Sequence, residues 1–168
     1  MLYQITIPQF TKMLNNLSLI LDRAAQYASS KKIDFETLLH SRLAPDQFPL
    51  SRQLQITCDT AKFCASRLCA KEGPVHDDKE RSLQEFKTRI EQTISYLGMF
   101  TESDFKGAED RKISQPRWEG KNLTGTEYTL QHAIPNFYFH LTTAYAILRH
   151  NGVDIGKKDY LGPMPFKT

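Results

Sequence analysis

Apolar residues recur every three or four positions in four long segments of the chain, the pattern that is typical of amphipathic helices. The segments cover approximately residues 8–29, 49–70, 79–100 and 126–151. Stripes of this width can share one core when the helices lie side by side. The pattern therefore predicts an all-α fold, specifically a four-helix bundle.

Prolines and capping residues indicate where these helices begin and end. Pro8 suits the first turn of the first helix, where the missing N–H costs nothing. Asp77 or Asp78 can cap the third helix. Pro135 lies inside the fourth pattern, and its ring opposes a regular helix there. We therefore expect the fourth helix to kink or divide near Ile134.

Two connections between the long helices are expected to carry structure of their own. Between the first and second helices, a short extra helix is predicted to begin after Asp34 and to end before Pro45. Residues 101–124 form an unusually long connection between the third and fourth helices. Within it, residues 112–114 and 118–122 are interpreted as a small β-hairpin.

Size and charge place few restrictions on function, but they exclude some classes of partner. The chain of 168 residues suits one helical domain spanning residues 1–168. Its net charge of +3 is scattered, so no nucleic-acid partner is expected. No secretory pattern is visible, and no apolar run approaches the ~18 residues of a membrane span. We therefore expect a cytoplasmic protein without a membrane partner.

The three cysteines, Cys58, Cys64 and Cys69, all fall within the second predicted helix. At about 100° per residue, Cys64 points nearly opposite to the other two. A metal site made of three thiolates on this helix is therefore excluded. The cysteines are interpreted as small residues of a core in a reducing compartment.

The fourth helix carries the principal candidate site of the chain. His140 lies about 80° from the centre of the core-facing seam, and Asn136 lies about 120° away on the same side. We expect both to line a cleft between helices, with Tyr138 as a further candidate on the other side of the seam. His140 is either a metal ligand or general base, or a partly buried side chain held by a hydrogen bond.

Two further polar residues were weighed as parts of that site. His132 is spaced by four from Asn136 and lies about 40° from it and about 80° from His140 on the wheel, but Pro135 interrupts the helix between them. A ladder of three ligands is therefore not predicted. Asp59 points away from the apolar stripe of the second helix, so it is either a solvated or interhelically hydrogen-bonded side chain, which we favour, or a catalytic residue of the cleft.

Two sequence motifs resemble those of a known bacterial family. They are FPLSRQLQITCDTAK at residues 48–62 and PNFYFHLTTAYAILRHNGVDIGKKDYLG at residues 135–162. The resemblance is to a family of unknown function within the DinB/YfiT-like superfamily of presumptive metalloenzymes, and it covers nearly the whole chain. It implies a four-helix bundle that is often dimeric. It also implies a divalent metal, Zn or Ni, held by three histidines.

Residue by residue, the metal site that this resemblance implies is incomplete. His140 matches the second histidine of the last-helix pair, and Asn136 occupies the place of the first. The second helix contains no histidine, and Gln55 is our prediction for the equivalent position. One histidine with two amides is a poor ligand set for zinc or nickel.

Two functions remain open from the sequence. The first is a metal-dependent or thiol-cofactor-dependent transferase or isomerase that uses His140. The second, which we favour, is a small-ligand-binding or interaction module that has kept the cleft but not the metal triad. The back of the fourth helix, with Phe139, is too apolar for a solvated face. We expect the long loop and the tail to cover part of it and a homodimer to cover the rest.

Overall fold

The computed structural model describes residues 1–167, and it is all-α within that range. None of these residues forms a β-strand ladder. Seven α-helices follow one another along the chain: α1 (Leu2–Lys31), α2 (Phe35–His40), α3 (Leu50–Cys69), α4 (Leu83–Leu97), α5 (Gly125–Tyr128), α6 (Ile134–His150) and α7 (Lys157–Leu161). The four long helices α1, α3, α4 and α6 supply most of one buried core, which includes Phe10, Phe86 and Phe137.

Helix α1 begins six residues earlier than Pro8, so the predicted start at this proline is wrong. Leu2 and Ile7 are buried against the core. The Thr6 hydroxyl donates a hydrogen bond of 2.7 Å to the Leu2 carbonyl within this first stretch. Burial of these residues offsets the hydrogen bond that a proline inside a helix removes.

Helix α4 begins later than predicted, and neither Asp77 nor Asp78 caps it. Ser82 is the N-cap, and its side chain and that of Glu85 form a reciprocal capping box. Asp78 is instead held by Arg89, whose Nη1 lies 2.7 Å from its Oδ1. Asp78 therefore forms an ion pair with Arg89 instead of the N-cap interaction that its position in the sequence predicted.

The predicted hairpin is reduced to one antiparallel bridge between Ile113 and Leu123. Their backbone groups exchange hydrogen bonds of 2.8 and 3.0 Å. The residues between them do not pair, because Pro116–Trp118 forms a 3-10 turn and Gly120 has a φ of 83°. The hairpin prediction is therefore wrong beyond this single pair.

The fourth predicted helix is divided at the expected place. A π-helical turn, Thr129–Ala133, joins α5 to α6, which begins at Ile134 with Pro135 in its first turn. A wider π turn rotates successive side chains less than an α turn does, so it changes which residues share a face. His132 lies within this turn, directly before the helix that carries Asn136 and His140.

Two of the three cysteines are buried as predicted, and the long loop and the tail pack against aromatic residues of the fourth predicted helix. Cys58 and Cys64 are buried, and burial raises the pKa of Cys58 to about 12, so this thiol stays protonated. The long loop packs Trp118 against Tyr128, and the tail packs Tyr160 against Tyr145. Phe139 nevertheless remains 55% exposed.

Candidate functional site

A cleft of about 490 Å³ opens between α3 and α6 and is closed at one end by the long loop. Helix α3 contributes Ile56, Thr60 and Phe63, and α6 contributes Asn136 and His140. The structure therefore brings together the two residues that the sequence analysis placed on one side of α6. No helix within residues 1–167 is long and apolar enough to cross a membrane.

His140 is 8% exposed, and its hydrogen bonds fix the position of its proton. Gln53 donates through Nε2 to the Phe48 carbonyl at 3.0 Å, so its Oε1 must accept. His140 Nδ1 lies 2.7 Å from that Oε1 and therefore carries the hydrogen. Nε2 is left with its lone pair on the cleft side, where no group of residues 1–167 donates to it. Burial, together with the Arg52 charge, lowers the pKa of His140 to about 4.

Asn136 is held by a hydrogen bond across the cleft floor. Its Nδ2 donates to the Thr60 hydroxyl at 2.8 Å, and that hydroxyl donates to the Ile56 carbonyl at 2.7 Å. This chain fixes the Asn136 amide with its nitrogen already engaged. Its carbonyl oxygen is the polar atom that remains for a ligand.

The other three candidates from the sequence are directed elsewhere or are already paired. Gln55 does not line this cleft, because it donates to Glu80 Oε2 at 3.0 Å and accepts from Arg52. The Tyr138 hydroxyl accepts from Gln9 of α1 at 3.0 Å and is likewise absent from the cleft lining.

Asp59 does line the cleft, but its negative charge is neutralised by two neighbouring cations. Its Oδ1 lies 2.9 Å from both Arg89 Nη2 and Lys62 Nζ. The contact with Arg89 of α4 is the interhelical interaction that the sequence analysis gave as one possibility for Asp59. These two cations leave little negative charge for the cleft.

The far end of the cleft contains residues that the sequence analysis missed. Tyr128 and His132 stack with ring centroids 5.6 Å apart, and each ring contacts one arginine. Arg67 Nη1 donates to the Tyr128 hydroxyl at 3.0 Å, and Arg117 Nη2 lies 2.6 Å from His132 Nε2. His132 was not predicted as a site residue because Pro135 was expected to interrupt the helix after it, whereas the π turn at Thr129–Ala133 leads directly into α6.

Comparisons with known proteins agree with this architecture. The profile of a family described as a domain of unknown function (DUF1993) matches residues 2–161. This chain belongs to the DUF1993 family. A crystal structure of a DinB family member protein from Shewanella denitrificans is 56% identical, with a TM-score of 0.97 over 100% of this chain and 96% of that one. A search of curated proteins finds no match.

The cleft of this DUF1993 protein does not fit the metal that the DinB resemblance implies. Within residues 1–167, no three histidine, cysteine or acidic side chains are arranged to hold a metal ion. His140 Nδ1 is bonded to Gln53, and the Asn136 nitrogen is bonded to Thr60. Arg67 and Arg117, which lie within 4.0 Å of no carboxylate of residues 1–167, also disfavour a cation there, while Asp59 is paired with Arg89 and Lys62. A neutral or anionic occupant suits this environment better.

Proposed function

We propose that this DUF1993 protein is a small-ligand-binding module whose ligand enters the cleft between α3 and α6. The observation that supports this most strongly is the fixed tautomer of His140, which leaves the Nε2 lone pair on the cleft side. An unpartnered acceptor on a mostly buried side chain favours ligands that offer an O–H or N–H donor. The ligand therefore carries such a group where it meets His140.

The pKa of His140 favours binding over base catalysis. An efficient general base has a pKa near the operating pH. Burial lowers the pKa of His140 to about 4, so the ring is neutral near pH 7 and binds a proton weakly. A hydrogen-bond acceptor needs only the neutral ring, whereas a base must hold the proton that it removes.

The walls of the cleft favour a flat apolar body for the ligand. Phe48 is 53% exposed and Phe63 is 38% exposed, and both line the cleft. Exposed aromatic side chains beside a few fixed polar atoms are typical of small-molecule sites. A ligand that covers both rings removes their apolar surface from water.

Binding of 2-naphthol, a fluorescent aromatic with one O–H donor, tests this function. We expect saturable binding that Ile56→Trp abolishes, because the new indole fills the cleft. Gln92→Trp adds the same side chain to the exposed face of α4 and should leave binding unchanged. His140→Phe keeps a ring but removes the acceptor and should weaken binding about fivefold. Binding that is insensitive to Ile56→Trp would contradict the proposed function.

The alternative function, a metal-dependent transferase or isomerase using His140, makes a different prediction. It requires near-stoichiometric divalent metal in protein purified without a histidine tag, and loss of that metal in His140→Ala. We expect substoichiometric metal that does not respond to the substitution, because His140 lacks suitable partner ligands.

A homodimer through the back of α6 is part of the same proposal. Phe139, on this face, is 55% exposed in the single chain. Burying a phenylalanine contributes roughly 1.5–3 kcal/mol, which favours a covered interface. Sedimentation at micromolar concentration should show a dimer that Phe139→Ser weakens. A monomer of 19.4 kDa would contradict this part of the proposal.

A further inference from the structure

We propose that the ligand of this cleft is an organic anion whose carboxylate or phosphate group binds between Arg67 and Arg117. This inference rests on the proposed function, because it assigns a chemical class to the ligand of the same site. It concerns the end of the cleft opposite His140, which closes against α5, the π turn and the long loop.

Arg67 is held at this end by aromatic neighbours rather than by a carboxylate. Its guanidinium lies 4.9 Å from the centre of the Phe63 ring and 5.8 Å from that of Tyr128. Its Nη1 donates to the Tyr128 hydroxyl at 3.0 Å. These contacts fix its orientation while leaving its other donors and its full charge available to a ligand.

Arg117 approaches the same end from the long loop. Its Nη2 lies 2.6 Å from His132 Nε2, and it is exposed. Because the His132 and Tyr128 rings stack at 5.6 Å, the two arginines are each attached to one member of the same aromatic pair. Both guanidinium charges also help to lower the pKa of His132, after the larger effect of burial, as expected for cations close to this ring.

Within the described part of the chain, neither Arg67 nor Arg117 lies within 4.0 Å of a carboxylate, although ion pairs elsewhere in it are common. Two further donors at this end have no acceptor. Gln115 is 9% exposed, lines the cleft, and its Nε2 is buried without a hydrogen-bond partner. His132 accepts from Arg117 at Nε2, so its proton lies on Nδ1, which is also buried without a partner.

These four side chains offer hydrogen-bond donors at one end of the cleft, an arrangement that can bind an acidic group. Buried donors normally find acceptors, and leaving them without one costs free energy. Two guanidinium forks can bind the oxygens of a carboxylate or phosphate in pairs. The other charged residues of the cleft do not change this preference for an anion, because they are already paired. Arg52 is paired with Asp78, and Asp59 is paired with Arg89 and Lys62.

The spacing of the two ends sets the size of the ligand. His132 and His140 are eight residues apart, which corresponds to about 12 Å along a helix. Hydrogen bonds of about 3 Å at each end leave roughly 6 Å for the body between them. A span of this order suits an aromatic ligand of one or two rings, with an acid at one end and a hydroxyl at the other.

A series of naphthalene probes tests the anion directly. We compare 2-naphthol, 2-naphthoate, 2-naphthyl phosphate and 6-hydroxy-2-naphthoate by fluorescence titration on the full chain. We expect 6-hydroxy-2-naphthoate to bind at least about tenfold more tightly than 2-naphthol, from charge-assisted hydrogen bonds. Added salt should reduce this advantage. Whichever of naphthoate and naphthyl phosphate binds more tightly identifies the acidic group.

Arg117→Gln should reduce the advantage of 6-hydroxy-2-naphthoate over 2-naphthol, and Arg117→Lys should restore part of that advantage. Arg117 is exposed, so the fold tolerates its replacement. Arg149→Gln, at the end of α6, removes the same charge outside the cleft and should have no effect. Equal affinity for 2-naphthol and 6-hydroxy-2-naphthoate would overturn the anion proposal. The proposed function would stand in that case if 2-naphthol binding remained sensitive to Ile56→Trp.

Discussion

Two cationic regions lie beside α3, one formed by Arg89 and the other by Arg67 and Arg117. They differ in whether carboxylates neutralise the positive charge. Arg89 is 1% exposed and contacts Asp59, Asp78 and Glu80 at 2.9, 2.7 and 2.8 Å. Arg67 and Arg117 contact rings and a hydroxyl instead. The first cluster connects α3, α4 and the segment before α4. The second is located where a cleft opens.

The difference separates a structural use of charge from a recognition use. A buried cation is tolerated only when carboxylates and hydrogen bonds surround it. Burial alone would lower the pKa of Arg89, but hydrogen bonds to Glu80 and Asp78 hold it above its ordinary value. A cation without such partners at the edge of a cavity stays available for an outside anion.

Replacing Arg89 gives the largest effect that this comparison predicts. Arg89→Leu leaves Asp59, Asp78 and Glu80 without their shared partner, and the free energy of unfolding should fall by about 3–5 kcal/mol. Urea denaturation measures this change. Arg23→Leu, which breaks an exposed pair with Asp159, should cost no more than about 1 kcal/mol. Equal losses in the two variants would show that the Arg89 cluster is not structural.

The Arg89 cluster and His140, at the other end of the cleft from Arg67 and Arg117, should respond to acid in different pH windows. Although burial alone would raise them, hydrogen bonds from Arg89 hold the pKa values of Asp78 and Glu80 below 3.8 and 4.5. Their contribution to stability is therefore complete above pH 4.5 and is lost only as the pH falls further.

His140 contributes at higher pH, because its pKa falls from 6.5 to about 4 on folding. Its contribution is complete above pH 6.5 and is lost as the pH falls towards 4, since the unfolded chain binds the proton first. Between pH 7 and pH 5, wild type should lose about 2 kcal/mol more than His140→Gln. Thermal unfolding across this range measures the difference, and parallel curves would contradict the burial of a neutral ring.

Periodicity in the sequence was sufficient to predict the helices and one side of the cleft. His140 and Asn136 follow ordinary α-helical geometry, so a wheel placed them together. The Arg89 cluster could not be predicted, since its partners lie up to 30 residues apart in sequence and only the fold brings them together. The role of Asp78 there also explains why it does not cap α4.

The second arginine group was missed for a different reason. Its rings, Tyr128 and His132, lie before Pro135, where the sequence analysis expected a break, whereas the π turn at Thr129–Ala133 leads directly into α6. Arg117 lies in the long loop, whose path is set by a single bridge and a 3-10 turn rather than by the hairpin that the pattern indicated. Pro135 was the one signal of an irregularity, although it did not indicate which side chains would move.

The smallest expected effect on stability belongs to Arg117. Because it is exposed and has no carboxylate partner among residues 1–167, Arg117→Gln should change the free energy of unfolding by less than about 0.5 kcal/mol. Urea denaturation without ligand measures this change. A loss approaching that of Arg89→Leu would place Arg117 among the structural arginines and remove the contrast between the two groups.

A crystal structure of the protein with 6-hydroxy-2-naphthoate tests the central claim most directly. The account predicts the carboxylate between Arg67 and Arg117, the ring system against Phe63, and the hydroxyl within hydrogen-bond distance of His140 Nε2. The Arg89 cluster should keep its three ion pairs unchanged. A ligand bound in the opposite orientation, or bound outside the cleft between α3 and α6, would contradict the account.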